Sequence, residues 1–174
     1  MLADIEVVCE IDEQWAFVGN KQRRHWLWYA FDSKRRKVLA YVFGSRTDAT
    51  CRRLLALLAP FTLGLIATDD WGSYTRQVPS HLHLVGKIFT QRIERHNLNL
   101  RTHIKRLTRK TICFSRSIEL HEKVIGTYIE RMHFNWLEAW PIRLTRNDEQ
   151  FKNGDVARVV AIQGDKGVLE VKQG

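Results

Sequence analysis

The sequence is poor in cysteine, short of acid and free of long apolar runs. Cys9, Cys51 and Cys113 lie far apart and form no CxxC pair, which argues against a structural zinc site. Cys9 sits in an apolar run and reads as a small core residue rather than a nucleophile. An odd cysteine count without a secretory signal fits a reducing cytoplasm. The opening "MLADIEVVCEIDEQW" has no basic region followed by a long apolar stretch, so no signal peptide is read there. No apolar run reaches the ~18 residues of a membrane-spanning helix. No GxxxxGK[ST] loop occurs, which excludes a nucleotide-hydrolysing engine of that kind.

The shortage of acid matters most. Against 28 Lys and Arg stand 19 Asp and Glu, a net charge of +9. That excess favours a polyanionic partner, nucleic acid first and an anionic membrane second. The bland alternative is that charge serves only solubility. The charge is uneven. Residues 137–174 hold six basic and six acidic residues, leaving 22 basic and 13 acidic in residues 1–136. The tail also holds four of the ten glycines. A boundary is therefore placed near Leu137, giving a main unit of 1–136 and a tail of 137–174. A chain of 174 residues with 44% apolar content allows one ordinary domain and a small appendage.

Along the chain, residues 5–18, 25–31 and 37–44 read as strands, the last two joined by the polar loop "DSKRRK". Thr47 is placed to cap a helix that ends before Pro60, with Leu54, Leu55, Leu57 and Leu58 as its buried face. "LGLIAT" (63–68) is short and wholly apolar, as expected of a strand buried on both faces. "HLHLVG" (81–86) is a further strand. "FTQRIERHNLNLRTHIKRLTRK" (89–110) reads as a basic helix, with Ile93, Leu100, Ile104 and Leu107 in one narrow stripe. Glu94, Arg101 and Lys105 repeat those offsets one position later, at the edge of the core face. Residues 115–134 form another amphipathic helix. Antiparallel strands followed by strand–helix alternation predict an α/β fold, a mixed sheet flanked by helices. "HWLWYAF" is read as core rather than a base-stacking platform. His96, His103 and His121 are read as phosphate contacts or surface residues rather than metal ligands.

Three acids fall at telling places: Asp12 within the first strand, Asp69 at the end of the buried strand and Glu94 on the basic helix. A buried, unpaired carboxylate costs several kcal/mol. A hard divalent ion that gathers such acids removes the problem. Two such ions about 4 Å apart can activate a nucleophile and stabilise the leaving oxygen of a phosphodiester. Glu13 and Asp70 adjoin these acids and compete with them for the role. On this reading the cations of the helix hold DNA backbone, and its lone acid holds metal.

"DEQWAFVG", "YAFDS", "VFGSRT", "TDDWGSY" and "FTQRIERHNLNLR…RLTRKTICFSRSIELHEKVIGTYI" closely resemble the InsB-type transposases of the insertion-sequence-one family. The likeness spans nearly all of residues 5–136 in order. It implies a ribonuclease H-like fold and DDE transposase chemistry: metal-activated hydrolysis frees a 3′-OH at the element end, and that 3′-OH attacks target DNA. It implies that Asp12, Asp69 and Glu94 are the catalytic, metal-binding triad, with Mg²⁺ or Mn²⁺ as cofactor. Arg101 matches the basic residue seven positions after the Glu and is expected to contact DNA. Arg92, Arg95, Lys105, Arg106, Arg109 and Lys110 join it as expected DNA contacts. The implied partners are double-stranded DNA, as element ends and target, and further copies of the chain in a synaptic complex. No membrane or small-molecule cofactor is expected, and the expected location is the bacterial cytoplasm, at nucleoid or plasmid.

Two departures bear on activity. Family enzymes carry an upstream DNA-binding region joined by ribosomal frameshifting. This chain starts eleven residues before Asp12 with no zinc-finger cysteines or helix-turn-helix segment, so it is expected to lack end recognition of its own. Asp70 stands where the family usually has a small residue, adding negative charge beside Asp69. "IRLTRNDEQFKNGDVARVVAIQGDKGVLEV" (142–171) is similar to the small β-barrel insert of superfamily-one helicases found in conjugative relaxase–helicases. It implies a β-rich fusion remnant without an ATP-binding motif. Two alternatives stay open beside the transposase: a non-catalytic DNA-binding remnant or regulator, and a ribonuclease H-like nuclease.

Overall fold

A computed structural model describes residues 7–112 and 114–134, together with strands at 143–144, 158–163 and 166–171. β1 (Val7–Val18), β2 (Asn20–Asp32) and β3 (Lys37–Gly44) form an antiparallel meander. Its first turn needs the positive φ of Gly19, 81°. The Asn20 side chain then accepts the amides of Gln22 and Arg23, both at 2.9 Å. At the second turn Asp32 does the same for Lys34 and Arg35, at 2.9 and 3.0 Å.

The chain then alternates. Thr47 caps α1 (Asp48–Leu58) by accepting the Thr50 amide. β4 (Leu63–Thr68) runs parallel to β1, and β5 (His83–Val85) runs parallel to β4. The short α2 (Gly72–Gln77) lies between them. α3 (Gln91–His103) and α4 (Ile118–Ile129) follow, and α4 runs into a π-helical turn, Glu130–Phe134. Sheet order is β5-β4-β1-β2-β3, a mixed sheet. β7 (Arg158–Gln163) extends it antiparallel on the β3 edge, pairing Val159 with Ala40. β8 (Lys166–Val171) and β6 (Arg143–Leu144) lie beyond.

Strand alternation assigns the layers. Asp12 pairs with Tyr29 and Tyr29 with Tyr41, so these three share one face. α3 reaches that face through Asn97, which accepts from Tyr29, and α4 reaches it through Gly126, against Tyr41. Glu13 and Trp28 face the other way, where Tyr74 and Trp71 of the α2 region meet them. The core between the layers is aromatic: Trp28, Tyr29 and Tyr41 are fully buried, each worth on the order of 2 kcal/mol in apolar burial. "HWLWYAF" is thus core from Leu27 onward. Cys9 and Cys51 are buried free thiols, and burial pushes Cys9 up to about 12.

Three readings need correction. The basic helix is shorter than 89–110. It ends at His103, Ile104 turns to extended backbone, and a 3₁₀ turn covers Lys105–Leu107. The Thr108 hydroxyl donates to the Arg101 carbonyl at 3.3 Å, occupying a carbonyl that a longer helix would use. Ile104 and Leu107 are still buried, but Lys105 does not share a helical stripe with Glu94 and Arg101. His121 is not a surface residue. It is buried, hydrogen-bonded to Ser115 Oγ at 2.8 Å and packed against Phe43. Burial, then His25 and Arg106, lower its pKa to about 4. His96 is half-buried, stacked on Phe31 with ring centroids 4.6 Å apart. Cys113, the 136/137 boundary, "TRND" and most of "NGDVARVV" lie outside the described residues.

Gly126 is required by a close approach. A Cβ there would stand 2.8 Å from the Tyr41 hydroxyl, which is buried and donates to Glu130 at 3.0 Å. Gly126→Ala gains about 1 kcal/mol of helix propensity but overpacks a rigid ring, at about 1–3 kcal/mol. The expected net result is destabilisation, read as a lower urea midpoint with unchanged slope.

Candidate functional site

β1 carries two carboxylates on the face that receives α3. Glu10 is buried, and its Oε2 accepts the Ile93 amide in the first turn of α3 at 2.8 Å. Such an amide has no partner within its own helix, and a carboxylate there is favoured by the helix dipole. Burial pushes the Glu10 carboxyl up, while the Ile93 amide and Arg92 draw it down. Two residues on, Asp12 Oδ2 accepts Asn97 Nδ2 at 2.6 Å, and Oδ1 accepts the Glu13 amide at 2.9 Å. Asn97 is aimed in turn: its Oδ1 accepts the buried Tyr29 hydroxyl at 2.7 Å. The chain Tyr29–Asn97–Asp12 leaves the Asp12 carboxylate little freedom to rotate.

Asp69 follows β4 directly and is half-buried. β4 pairs with β1 through Glu10 and Ala67, so two further steps bring Asp69 level with Asp12. Asp69 Oδ1 accepts the Trp71 amide at 3.0 Å, shaping the turn into α2. Burial chiefly, with Glu13 and then Asp69 adding repulsion, raises Asp12 to about 7. Glu13 faces the opposite layer and is fully engaged. Its Oε1 accepts Arg46 Nε at 2.8 Å, and its Oε2 accepts the Tyr74 hydroxyl. Asp70 is exposed.

Glu94 lies in the first turn of α3, exposed, one turn before Asn97. Among the described residues no three His, Cys, Asp or Glu side chains stand close enough together to hold a metal ion. Asp69 stands near enough to Asp12 to repel its charge, whereas Glu94 is exposed on α3 and joins no such cluster among the described residues. The pair fits a hard divalent cation by its chemistry: two oxygen donors in mutual repulsion, one kept protonated to near neutrality.

The predicted DNA contacts divide. Arg92 and Arg95, with Arg36, line an open groove of about 640 Å³ on the β2–β3 side of α3. Arg92 also donates to the Ser33 carbonyl at 2.9 Å. Arg101 is half-buried, and its Nε is buried with no hydrogen-bond partner among the described residues. Arg106 is turned inward, donating to Ser115 Oγ at 3.2 Å. Lys105 and Lys110 are exposed, and Arg109 stands 4.2 Å over the Trp15 ring. Sequence reasoning missed Glu10, Asn97 and Tyr29. A polar residue between Ile93 and Leu100 on the core stripe was the available sign of Asn97.

A mixed sheet ordered 5-4-1-2-3, helices on both faces, and aspartates within β1 and just past the end of neighbouring β4 define a ribonuclease H-like protein. The chain belongs to the IS1 transposase family, whose sequence profile matches residues 6–135. It is 69% identical over 128 residues to insertion element iso-IS1n protein InsB of Shigella dysenteriae, covering 74% of this chain and 98% of that relative. It is 52% identical over 132 residues to insertion element IS1 9 protein InsB of Escherichia coli K12, covering 76% and 79%. A Haemophilus ducreyi InsB protein matches to the same extent. No helix among the described residues is long and apolar enough to cross a membrane.

The Asp12 shift has a sign that can be measured. An acid whose folded pKa, about 7, exceeds its ordinary value of 3.8 holds an extra proton in the folded state between those values. Stability from this group is therefore lost as pH rises from about 4 to about 7. In chelator, Asp12→Asn is expected to be more stable than wild type at pH 8, by roughly 1–3 kcal/mol. That advantage should shrink towards pH 4.5, as read by urea unfolding at the two pH values.

Proposed function

We propose that this chain is the catalytic domain of a DNA transposase that hydrolyses phosphodiester bonds at element ends and transfers the freed strand into target DNA. The observation that carries the reading is Asp12, held by Asn97 and Tyr29 against a basic helix, with Asp69 near enough to repel its charge. Family membership supports the transposase role. Asp12 and Asp69 would hold Mg²⁺ or Mn²⁺, with Glu94 as the third carboxylate. A metal bound there would supply charge to the scissile phosphate and lower the pKa of the attacking hydroxyl. The protein's own part is placement. Asn97 keeps Asp12 Oδ2 in one orientation, Asp69 is fixed by the Trp71 amide, and Arg101 offers a cation one stripe position beyond Glu94. Double-stranded DNA and further copies of the chain in a synaptic complex are the proposed partners.

A second reading has its own observation. Glu94 is exposed and no three-ligand cluster forms among the described residues, which favours a DNA-binding regulator that does not cut.

The protein is incubated with Mg²⁺ or Mn²⁺ and labelled element ends, beside Asp12→Asn, Asp69→Asn and Glu94→Gln. Cleavage is expected in wild type, with losses of at least about a hundredfold in each variant, the scale on which a positioned catalytic group acts. Cleavage indifferent to all three rejects the triad. Binding without cleavage favours the regulator, and cleavage indifferent to end sequence favours a nuclease.

A further inference from the structure

We propose that the outer face of the β1–β2 hairpin, on the side of the sheet opposite Asp12, is a ridge that holds an unpaired DNA strand. The proposal rests on the DNA reading above and adds to it a site, its residues and the form of DNA it takes.

Strand register builds the ridge. Trp15 pairs with Trp26 across the hairpin, and Phe17 with Arg24, so these side chains share the face of Glu13. Deeper in, that face is closed by Trp71 and Tyr74 packed on Trp28. Towards the turn the cover thins. Trp15, Phe17 and Trp26 are half-buried, and residues 19–24 are exposed. β4 pairs with β1 only along residues 7–10, so this length of hairpin stands clear of the parallel part of the sheet.

Three guanidiniums lie on these rings. Arg24 and Arg109 stand 4.5 and 4.2 Å from the centroid of Trp15. Arg46 stands 4.5 Å from Trp71 and 5.2 Å from Trp26, and Glu13 anchors its Nε. A series of planar groups therefore runs from Trp71, two residues past Asp69, out to Trp15. Stacking on an indole fixes the plane of a guanidinium without consuming its N–H donors. Arg24 and Arg109 form no ion pair among the described residues. Burial, then repulsion from Arg101 and Arg24, lowers the pKa of Arg109, as expected of cations crowded together without a counter-ion.

Half-exposed indoles alternating with cations match one ligand chemistry. Bases of an unpaired strand stack on the rings, and its phosphates take the guanidiniums. An intact duplex keeps its bases stacked on one another and would engage only the cations.

Binding of the full chain is measured by fluorescence anisotropy in EDTA, so that no cleavage is needed. The probes are one duplex, either blunt or ending in a short single-stranded tail. The tail is expected to tighten binding about tenfold, the scale of one or two stacked bases. Trp15→Leu should abolish the tail preference while retaining blunt-duplex affinity, and Trp15→Phe should keep most of it. Arg24→Gln should weaken the preference and lower the salt dependence by about one ion. Equal binding of both probes by wild type overturns the ridge and leaves the transposase reading standing. So does an undiminished preference in Arg24→Gln, whose exposed position keeps the test available if Trp15→Leu does not fold. Failure to bind either probe overturns both.

Discussion

Glu10 and Asp12 stand two residues apart on β1, on the face towards α3, and each takes a hydrogen bond from that helix. One accepts a first-turn amide and the other a side-chain amide one turn further on. Together they set both the height and the rotation of α3 on the sheet. Everything the helix carries inherits that placement: Ile93 and Leu100 in the core, Glu94 exposed in the first turn, Arg92 and Arg95 along the groove. Tyr29 extends the constraint to β2 by donating to Asn97. Strand, helix and neighbouring strand are joined through one polar chain buried in an aromatic core.

That arrangement concentrates negative charge where burial disfavours it. Asp12 sits near Glu13 and Asp69, and its carboxyl is raised to about 7. The fold separates the rivals by strand alternation. Glu13 points into the opposite layer and is matched by Arg46 and Tyr74. Asp12 and Asp69 receive no cationic partner of that kind among the described residues. The acid with a cation is tied into the fold, and the acids without one are those that the proposed function assigns to a metal ion.

Much of the fold was legible because short-range rules govern it. β3, the Thr47 cap and the apolar strand 63–68 followed from propensity and punctuation, and all are found. The place of Asp12 within β1 and of Asp69 at the end of β4 followed too. The basic helix was read too long because Ile104 and Leu107 continue a perfect helical period. Period reports which residues face the core, not whether the backbone between them stays helical. Asn97 was overlooked because a lone amide on a core stripe has no meaning until its partners Asp12 and Tyr29 arrive from other strands. His121 looked like a surface residue for the same reason: its partners Ser115 and Phe43 are brought to it by folding.

Element order, the aromatic sheet core, the basic surface and the kinship to IS1 transposases could all be read from the residues alone, because each is written in residue types over short windows or in long matching stretches. Folding settled which acids are neutralised and which are not, and which cations lie on which side of α3. It also decided that Trp15, Arg24 and Arg109 meet at all. Those outcomes depend on strand register and helix rotation, and a single-residue shift in either would exchange the face on which each charge is placed.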